Sequence, residues 1–335
     1  MDHTQLPKTG PKGAVRPKAQ QQPLTCTGHT RPVVHLSFSG LLPNNDFYLL
    51  SACKDSKAIL RRGDTGDWIG TFDGHKGAVW SSVISKDATL SVTGSADYSA
   101  KLWANYNGEC LLTIPHEKIV RCVDISNDNN FILTAGMEEK VHIFDLTAPG
   151  KPLRTIPADD YVKTAKFDGE NGLVFQGDGK KMKIWDMRVQ DMIASREYPT
   201  TVTSVKFSSY PSQETVIVTT GISHSLTWIE NSVHLYDRHS SNIVKEFEFP
   251  SVQGPISSAS LDPSRTSLVV GSGKDVWLRV FDVATAEETR VLKGHHGPCH
   301  AVEYSPDGEL FASGSEDGTV RLWQTRPGTV YGLWK

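Results

Sequence analysis

Long apolar segments are missing from this chain of 335 residues. It has no run of about 18 consecutive apolar residues, the length a membrane-spanning helix needs. The N-terminus lacks the apolar core of a secretion signal, and no Asn-x-Ser/Thr glycosylation acceptor is present. We therefore expect a soluble cytoplasmic protein without membrane contact, and leave the nucleus open as a second location.

Cysteine is also scarce, and no two cysteines form a C-x-x-C pair. The absence of such pairs argues against a zinc ribbon or a disulfide-stapled domain. An odd number of scattered cysteines instead indicates small thiols in a reducing compartment. The five cysteines are Cys26, Cys53, Cys110, Cys122 and Cys299.

Net charge is low, at −3, which gives no overall field for holding nucleic-acid phosphates. We therefore expect no direct, specific nucleic-acid binding. Residues 1–22 differ from the rest, because they carry Lys8, Lys12, Arg16 and Lys18 against Asp2 alone. Polar segments rich in Pro, Gln and Gly cannot bury enough apolar surface to fold. We predict a flexible basic tail over 1–22 and a folded domain over 23–335.

What the chain does contain is a repeat. Seven apolar strands each close on an aromatic residue or its replacement, with spacings of 42, 41, 41, 51, 45 and 42 residues. A period in the low forties with an early Gly-His is typical of a propeller blade. We predict an all-β, seven-bladed WD-repeat β-propeller. The closing positions are Arg61, Trp103, Phe144, Trp185, Tyr236, Phe281 and Trp323.

The seventh repeat shows how one blade is encoded. Asp307-Gly308 and Asp317-Gly318 separate three short apolar runs. Asp-Gly between alternating strands predicts antiparallel hairpins rather than β-α-β units. Each blade is thus expected to be a four-stranded antiparallel sheet.

Polar residues recur at fixed positions and predict a hydrogen-bonded relay inside each blade. A turn Asp accepts from His, a Ser or Thr hydroxyl bridges, and the Trp indole donates, since buried polar groups need partners. Blades four to six have largely lost these residues and are expected to depend on packing. The relay residues are His29, Ser51 and Asp55; His75, Thr93, Asp97 and Trp103; His116 and Thr134; and His295, Ser313, Asp317 and Trp323.

The same residue types could suggest a Ser-His-Asp catalytic triad. An active site would not recur blade by blade, however, so we predict no enzyme and no cofactor. In "GHHGPCH" the residues His295, His296, Cys299 and His300 could suggest a metal site. His295 belongs to the relay, and Cys299 and His300 alternate across a strand, so no metal is expected.

A ring of blades must join its two ends or leave an open edge strand. Residues 23–29, "PLTCTGH", are similar to the strand that precedes Gly-His in other repeats. Residues 329–335, "TVYGLWK", also fall where the last blade needs its fourth strand. We predict that the N-terminal strand closes the ring and that the C-terminus lies over the neighbouring surface.

A partner is expected at the rim of the central channel, where the residue after the first apolar position of each inner strand lies. Those residues are Val34, Trp80, Arg121, Lys163, Thr203, Ser257 and His300. Lys54 and Glu316, just before the turn acids, should border the same face. Trp80 is a candidate anchor, although packing between blades is an equal alternative. Blade five has about ten extra residues, and we place Trp228 near the tip of its lengthened hairpin, with longer outer strands as the alternative.

The segments "TGHTRPVVHLSFSG", "YLLSACKDSKAILRRGDTGDWIGTFDGHKGAVW", "SADYSAKLW", "FASGSEDGTVRLWQT" and "VYGLWK" carry a family signature. Together they resemble the serine-threonine kinase receptor-associated protein family, also called the Unr-interacting protein family. The resemblance is strongest in repeats one, two and seven.

This resemblance implies a non-catalytic scaffold, monomeric within a larger complex. The implied complex is the survival-of-motor-neuron complex, in which such proteins join Gemin-type subunits and Sm proteins in spliceosomal ribonucleoprotein assembly and mRNA splicing. Unr-like RNA-binding proteins and, in animals, receptor signalling are further implied associations. The alternative is the propeller subunit of translation initiation factor three, whose repeats look similar.

Overall fold

A computed structural model describes residues 21–148, 150–168, 172–208, 215–221, 231–237 and 242–334. Within these ranges the regular structure consists of 28 β-strands. The predicted tail is mostly residues 1–20, which lie outside the described residues.

The strands of the first half are β1 (Leu24–Cys26), β2 (Val33–Phe38), β3 (Tyr48–Cys53), β4 (Ala58–Arg62), β5 (Trp68–Phe72), β6 (Val79–Ile84), β7 (Leu90–Ser95), β8 (Ser99–Ala104), β9 (Cys110–Pro115), β10 (Val120–Ile125), β11 (Phe131–Gly136), β12 (Lys140–Asp145), β13 (Arg154–Pro157) and β14 (Val162–Phe167). Those of the second half are β15 (Leu173–Asp178), β16 (Lys181–Asp186), β17 (Asp191–Glu197), β18 (Val202–Phe207), β19 (Thr215–Gly221), β20 (Asn231–Asp237), β21 (Ile243–Glu248), β22 (Ile256–Leu261), β23 (Ser267–Ser272), β24 (Leu278–Asp282), β25 (Glu288–Leu292), β26 (Cys299–Tyr304), β27 (Leu310–Ser315) and β28 (Val320–Gln324).

These strands form seven four-stranded antiparallel sheets, which confirms the predicted seven-bladed propeller. Blades one to six each use four consecutive strands, from β2–β5 to β22–β25. We call the strands of a blade a to d in sheet order. The a strands of neighbouring blades contact one another around the ring, so they line its central channel.

The turns within the seventh blade follow the sequence signal. Gly308 and Gly318 have φ values of 73° and 75°, a left-handed conformation that glycine adopts without steric cost. They connect β26 to β27 and β27 to β28, as the Asp-Gly pairs predicted.

The seventh blade closes the ring in the predicted way. Its sheet has the order β1-β28-β27-β26, with Thr25 opposite Arg321. The C-terminal residues do not take this place. Instead Tyr331 and Trp334 pack against a cluster that contains Cys26 and Leu310, and the Tyr331 hydroxyl donates to Asp307.

The hydrophobic core lies in layers between neighbouring blades. In one layer Val92 and Leu102 of blade two are buried with Val123 and Ile132 of blade three. Trp103 and Trp323 are 2% and 0% exposed, so these two closing aromatics are among the most buried side chains. This layering explains the sequence pattern, because the inner strands of each sheet are covered on both faces and read as continuous apolar runs.

Blades two and seven contain the full relay. In blade two, His75 Nδ1 lies 2.8 Å from Asp97, and His75 Nε2 lies 2.7 Å from Thr93 Oγ1. The Trp103 indole N–H donates to the same hydroxyl at 2.8 Å. Blade seven repeats these contacts at 3.0, 2.7 and 2.8 Å through His295, Asp317, Ser313 and Trp323. The network therefore links strands b and c and the loop from the preceding strand d.

Blade one keeps the relay but replaces its aromatic end. His29 lies 2.9 Å from Ser51 Oγ and 3.0 Å from Asp55. Arg61, 3% exposed, occupies the aromatic position, and its guanidinium donates to the carbonyl oxygens of Gly66, at 3.1 Å, and Thr27. A cation can replace the indole here because main-chain oxygens accept its hydrogen bonds.

In blade three the prediction that His116 and Thr134 share a relay is not met. Glu138 lies 3.3 Å from His116 and 2.9 Å from His142. Among the described residues, His116 Nε2 and Thr134 Oγ1 have no hydrogen-bond partner. Glutamate is one methylene longer than aspartate and here also engages His142, so the network turns toward strand c instead of reaching Thr134.

Blades four and six correct the expectation that they depend on packing alone. Lys183 Nζ lies 3.0 Å from Asp178, and the Arg279 guanidinium lies 3.1 Å from Asp275. All four residues are buried. Each cation stands two residues before the closing aromatic, on strand c, and binds an acid near the b–c turn. A basic residue at that position, in a blade without the relay histidine, was the signal in the sequence that could have predicted these pairs.

Ring closure generates a first prediction. Deletion of residues 1–26 removes β1 and leaves β28 as an open edge, so it should lower Tm by roughly 5 °C or more and promote aggregation. Deletion of residues 1–20 keeps β1 and serves as the control. Thermal melts of both variants measure the effect, and equal Tm values would contradict closure by β1.

A second prediction concerns the relay in blade seven. Asp317 accepts hydrogen bonds from His295, the His296 amide and the Thr319 amide and hydroxyl. Asp317→Ala should lower the free energy of unfolding by about 2–3 kcal/mol, because it leaves buried donors unpaired. Asp73→Ala, which removes only an exposed pair with Lys57, should cost less than about 0.5 kcal/mol. Denaturant unfolding compares them, and an unchanged Asp317→Ala would refute the relay's role.

The relay also makes stability depend on pH. Burial lowers the pKa values of His75, His116 and His295, although the neighbouring carboxylates oppose this shift. Burial alone would raise the pKa of Asp55, but hydrogen bonds from His29 and the Thr30 amide lower it to about 2. Both kinds of shift stabilise the folded state at neutral pH. As the pH falls, the unfolded chain binds more protons than the folded chain, so the free energy of unfolding decreases.

We therefore predict a third result: Tm is highest near neutral pH and falls below about pH 6.5, where unfolded histidines gain protons. It should fall again below about pH 4, as the carboxylates of the unfolded chain become protonated. Replacing His75 and His295 together by Asn should flatten the change between pH 7 and 5. Melts of both proteins across this range provide the check, and parallel pH profiles would refute the assignment.

Candidate protein-binding site at the channel mouth

Every a strand contains a β-bulge at the same place. In each of the seven blades the register with strand b shifts after the first residue of strand a, as between Val79 and Ser81 in blade two. The skipped residue has no partner on strand b, which frees its side chain to turn toward the channel. The seven skipped residues are Val34, Trp80, Arg121, Lys163, Thr203, Ser257 and His300.

All seven of these side chains line one cavity of about 270 Å³, which we call the channel mouth. They are the residues that the sequence frame placed on the rim. Lys54 also lines the mouth. Glu316 borders it through hydrogen bonding to His300 at 2.5 Å and lies 4.0 Å from Lys54.

One half of the mouth is neutral and internally satisfied. Thr203 Oγ1 donates to the carbonyl oxygens of Thr219 and Ile256, at 3.1 and 3.2 Å. Ser257 Oγ lies 2.6 Å from the Cys299 carbonyl oxygen and 3.1 Å from that of Gly271. These hydroxyls connect blades five, six and seven and have no acidic or basic partner to activate them in the contacts described.

The other half carries an aromatic ring and cations on consecutive blades. The Arg121 guanidinium lies 3.8 Å from the centre of the Trp80 ring, and Lys54 Nζ lies 5.5 Å from it. Lys163 Nζ lies 5.5 Å from the Tyr161 ring. Trp80 is half-buried and so combines both predicted roles, since it packs against neighbouring blades and faces the mouth.

Positive charge dominates the mouth. Among its described lining residues there are five Lys or Arg side chains, Lys54, Arg121, Lys163, Lys166 and Lys206, and no Asp or Glu. Burial lowers the pKa of Arg121, yet a guanidinium remains protonated at neutral pH. The mouth therefore concentrates cationic side chains on a chain of low net charge, and three of them, Lys54, Arg121 and Lys163, lack a close acidic partner in the part of the chain that the structure describes.

Deeper in the channel the cations are neutralised. Lys166 lies 3.1 Å from Asp124, and Lys206 pairs with Glu303. These four residues occupy the fifth position of their a strands and line a second cavity toward the other end of the channel. Sequence reasoning missed them, although charged residues recurring at that position were a signal.

His35 lies between the two cavities and lines both. Burial, together with Lys166 and Lys206, holds its pKa well below the usual value, so the imidazole is neutral at pH 7. A neutral ring at this point separates the cationic mouth from the ion pairs below it.

The predicted contact at Trp228 falls outside the described residues, as do all of residues 222–230. Strands β19 and β20 of blade five flank that segment, so these residues connect strands b and c. Both strands have seven residues, against six in the corresponding strands of blades two, three and four.

Two groups of side chains place possible metal donors near one another in the described part of the chain. One is His29, Cys53 and Asp55, and the other is His116, Glu138 and His142. Burial raises the pKa of Cys53 to about 12, so its sulfur is a thiol and a poor ligand, and His29 and Asp55 bond each other. In the second group both histidines already bond Glu138. Hydrogen bonds and ion pairs among these side chains account for their proximity in both groups.

No helix in the described ranges is long and apolar enough to span a membrane.

Comparison with known proteins supports the repeat assignment. The family model described as WD domain, G-beta repeat matches residues 66–104, 108–145 and 286–324. Each matched segment runs from strand d of one blade through strand c of the next. The sequence repeat is thus offset from the blade by one strand, which is why β1 is needed in the seventh blade.

Relatives extend over nearly the whole chain. Serine-threonine kinase receptor-associated protein of Homo sapiens is 44% identical over 317 residues, which cover 94% of this chain and 86% of that protein. Its counterpart in Dictyostelium discoideum is 40% identical, over 91% of this chain and 99% of that protein. Eukaryotic translation initiation factor 3 subunit I of Nematostella vectensis is 27% identical, over 91% of this chain and 97% of that protein. This chain therefore belongs to the serine-threonine kinase receptor-associated protein family of WD-repeat propellers.

Proposed function

We propose that this chain is a non-catalytic scaffold in spliceosomal ribonucleoprotein assembly, where it holds protein partners of the survival-of-motor-neuron complex. The observation that carries the proposal is the family similarity along more than nine-tenths of the chain. The channel mouth adds a surface suited to a protein contact, because Trp and Arg are the residues most enriched at binding hot spots. Trp80 and Arg121 meet there on neighbouring blades.

The partners we propose are Gemin-type subunits with their associated Sm proteins, or Unr-like RNA-binding proteins. RNA would be reached through these proteins, since the net charge of −3 gives the chain no general attraction for phosphates. Such assembly would take place in the cytoplasm, with mRNA splicing in the nucleus as the later step that it supports.

The chemistry of the mouth favours a scaffold over an enzyme. The described lining has no carboxylate to act as a base or an acid, and the Thr203 and Ser257 hydroxyls donate to main-chain oxygens. Cys122 also lines the mouth, but burial raises the pKa of its thiol, so it is a poor nucleophile.

A second candidate is a propeller subunit of a translation initiation complex. The observation in its favour is the 27% identity to initiation factor subunits along most of the chain. Its expected partners differ from those of the first proposal, so one experiment separates the two.

Affinity purification of the tagged chain from its native cell, followed by mass spectrometry, is the test of the proposed function. We expect recovery of Gemin-type and Sm proteins or of an Unr-like protein. Trp80→Ala should reduce that recovery about tenfold, since a half-buried aromatic anchor is lost. Tyr106→Ala, which removes an aromatic ring that is 86% exposed away from the mouth, is the control. Recovery of initiation-factor subunits alone would contradict the proposal.

A further inference from the structure

Arg121 is a half-buried cation that has no acidic partner among the residues that the structure describes. Its guanidinium stacks on Trp80, and burial opposes its charge. Among the contacts of the described residues it donates no hydrogen bond to the protein, which leaves its five N–H donors open to the mouth. A planar fork of free donors in a partly desolvated place is suited to bidentate pairing with a carboxylate.

Lys163 provides a second open charge on the next blade. Its described contact is with the Tyr161 ring, and it forms no ion pair in the structure's described ranges. Lys54 on the other side of Trp80 is only weakly neutralised, at 4.0 Å from a Glu316 that His300 already binds. The three cations form an arc over blades one, three and four with Trp80 within it.

The mouth contrasts with the rest of the channel. Lys166 and Lys206 also face it, but each has an acid from the protein itself. The open cations thus occur at the mouth, with Arg121 and Lys163 at the bulge positions and Lys54 in a b–c turn, and the paired cations occur below it. This difference between the unpaired cations of the mouth and the paired cations below indicates that a ligand supplies the negative charge that the mouth lacks.

From this arrangement we propose that the channel mouth binds an acidic polypeptide segment, with a Glu or Asp carboxylate on Arg121 and a second one at Lys163. This inference rests on the proposed function and names the chemistry of the partner. A cavity of about 270 Å³ admits side chains of an extended segment rather than a folded domain. The Trp80 ring, which also lines the mouth, adds apolar surface beside Arg121 for the stems of the segment's side chains.

The observations favour a carboxylate over nucleic acid. Phosphate-backbone binding needs a track of cations along several nucleotides, whereas this arc is confined to one opening on a chain of net charge −3. A single guanidinium with a neighbouring ammonium matches two acidic side chains of one peptide.

Fluorescence anisotropy at low ionic strength tests the inference with a labelled hexaglutamate peptide. The wild-type chain should bind it, bind the hexaglutamine analogue at least about tenfold more weakly, and lose affinity as salt increases. Arg121→Gln and Lys163→Gln should each weaken hexaglutamate binding about tenfold. Lys151→Gln, at an exposed lysine away from the mouth, is the matched control and should bind like the wild type.

Three outcomes would overturn the inference: no hexaglutamate binding, equal binding by Arg121→Gln and wild type, or tighter binding of hexauridylate than of hexaglutamate. Thermal melts confirm folding of each variant, and Lys163→Gln tests the site independently should Arg121→Gln fail to fold. If the native chain recovers its expected partner proteins while Arg121→Gln recovers them equally well, the mouth is not their docking site and the proposed function stands. If the wild-type chain binds hexaglutamate but recovers none of those partners, the acidic-peptide site stands and the proposed function is wrong.

Discussion

Pairing between β1 and β28 is the constraint on which the other features depend. It joins the first strand of the folded chain to the last blade and covers the edge that β28 would otherwise expose. Only a closed ring fixes the seven a strands around one axis. The mouth takes one side chain from each of those strands, so it exists as a site only while the ring is closed.

Within this ring, repetition and variation have separate roles. The bulge recurs in all seven a strands and always directs the same position into the mouth. What differs is the residue there, which is neutral on blades five and six and aromatic or cationic on blades two to four. The buried polar interactions within the blades also vary. Blade seven has a histidine relay, whereas blade four has an ion pair between Lys183 and Asp178. The backbone geometry of the a strands is therefore repeated in every blade, whereas the surface that they present at the mouth is asymmetric.

The sequence predicted the fold because its repeat, Asp-Gly turns and Gly-His pairs are local signals. It also predicted the rim positions, since counting from each strand start needs no tertiary information. It could not give the contact between Arg121 and Trp80, which joins two blades, nor the ion pairs of Lys166 and Lys206, which also form between different blades. The interruption of the relay at Thr134 depends on the longer Glu138 side chain and on His142, a local detail of packing.

Hydrogen exchange of the main-chain amides, measured with and without bound acidic peptide, tests most directly whether the channel mouth is the docking surface. Binding at the mouth predicts slower exchange confined to the first residues of β6, β10 and β14 and to the b–c turns beside them, with outer strands unchanged. Slower exchange along β5, β9 or β17, with none at the mouth, would contradict it.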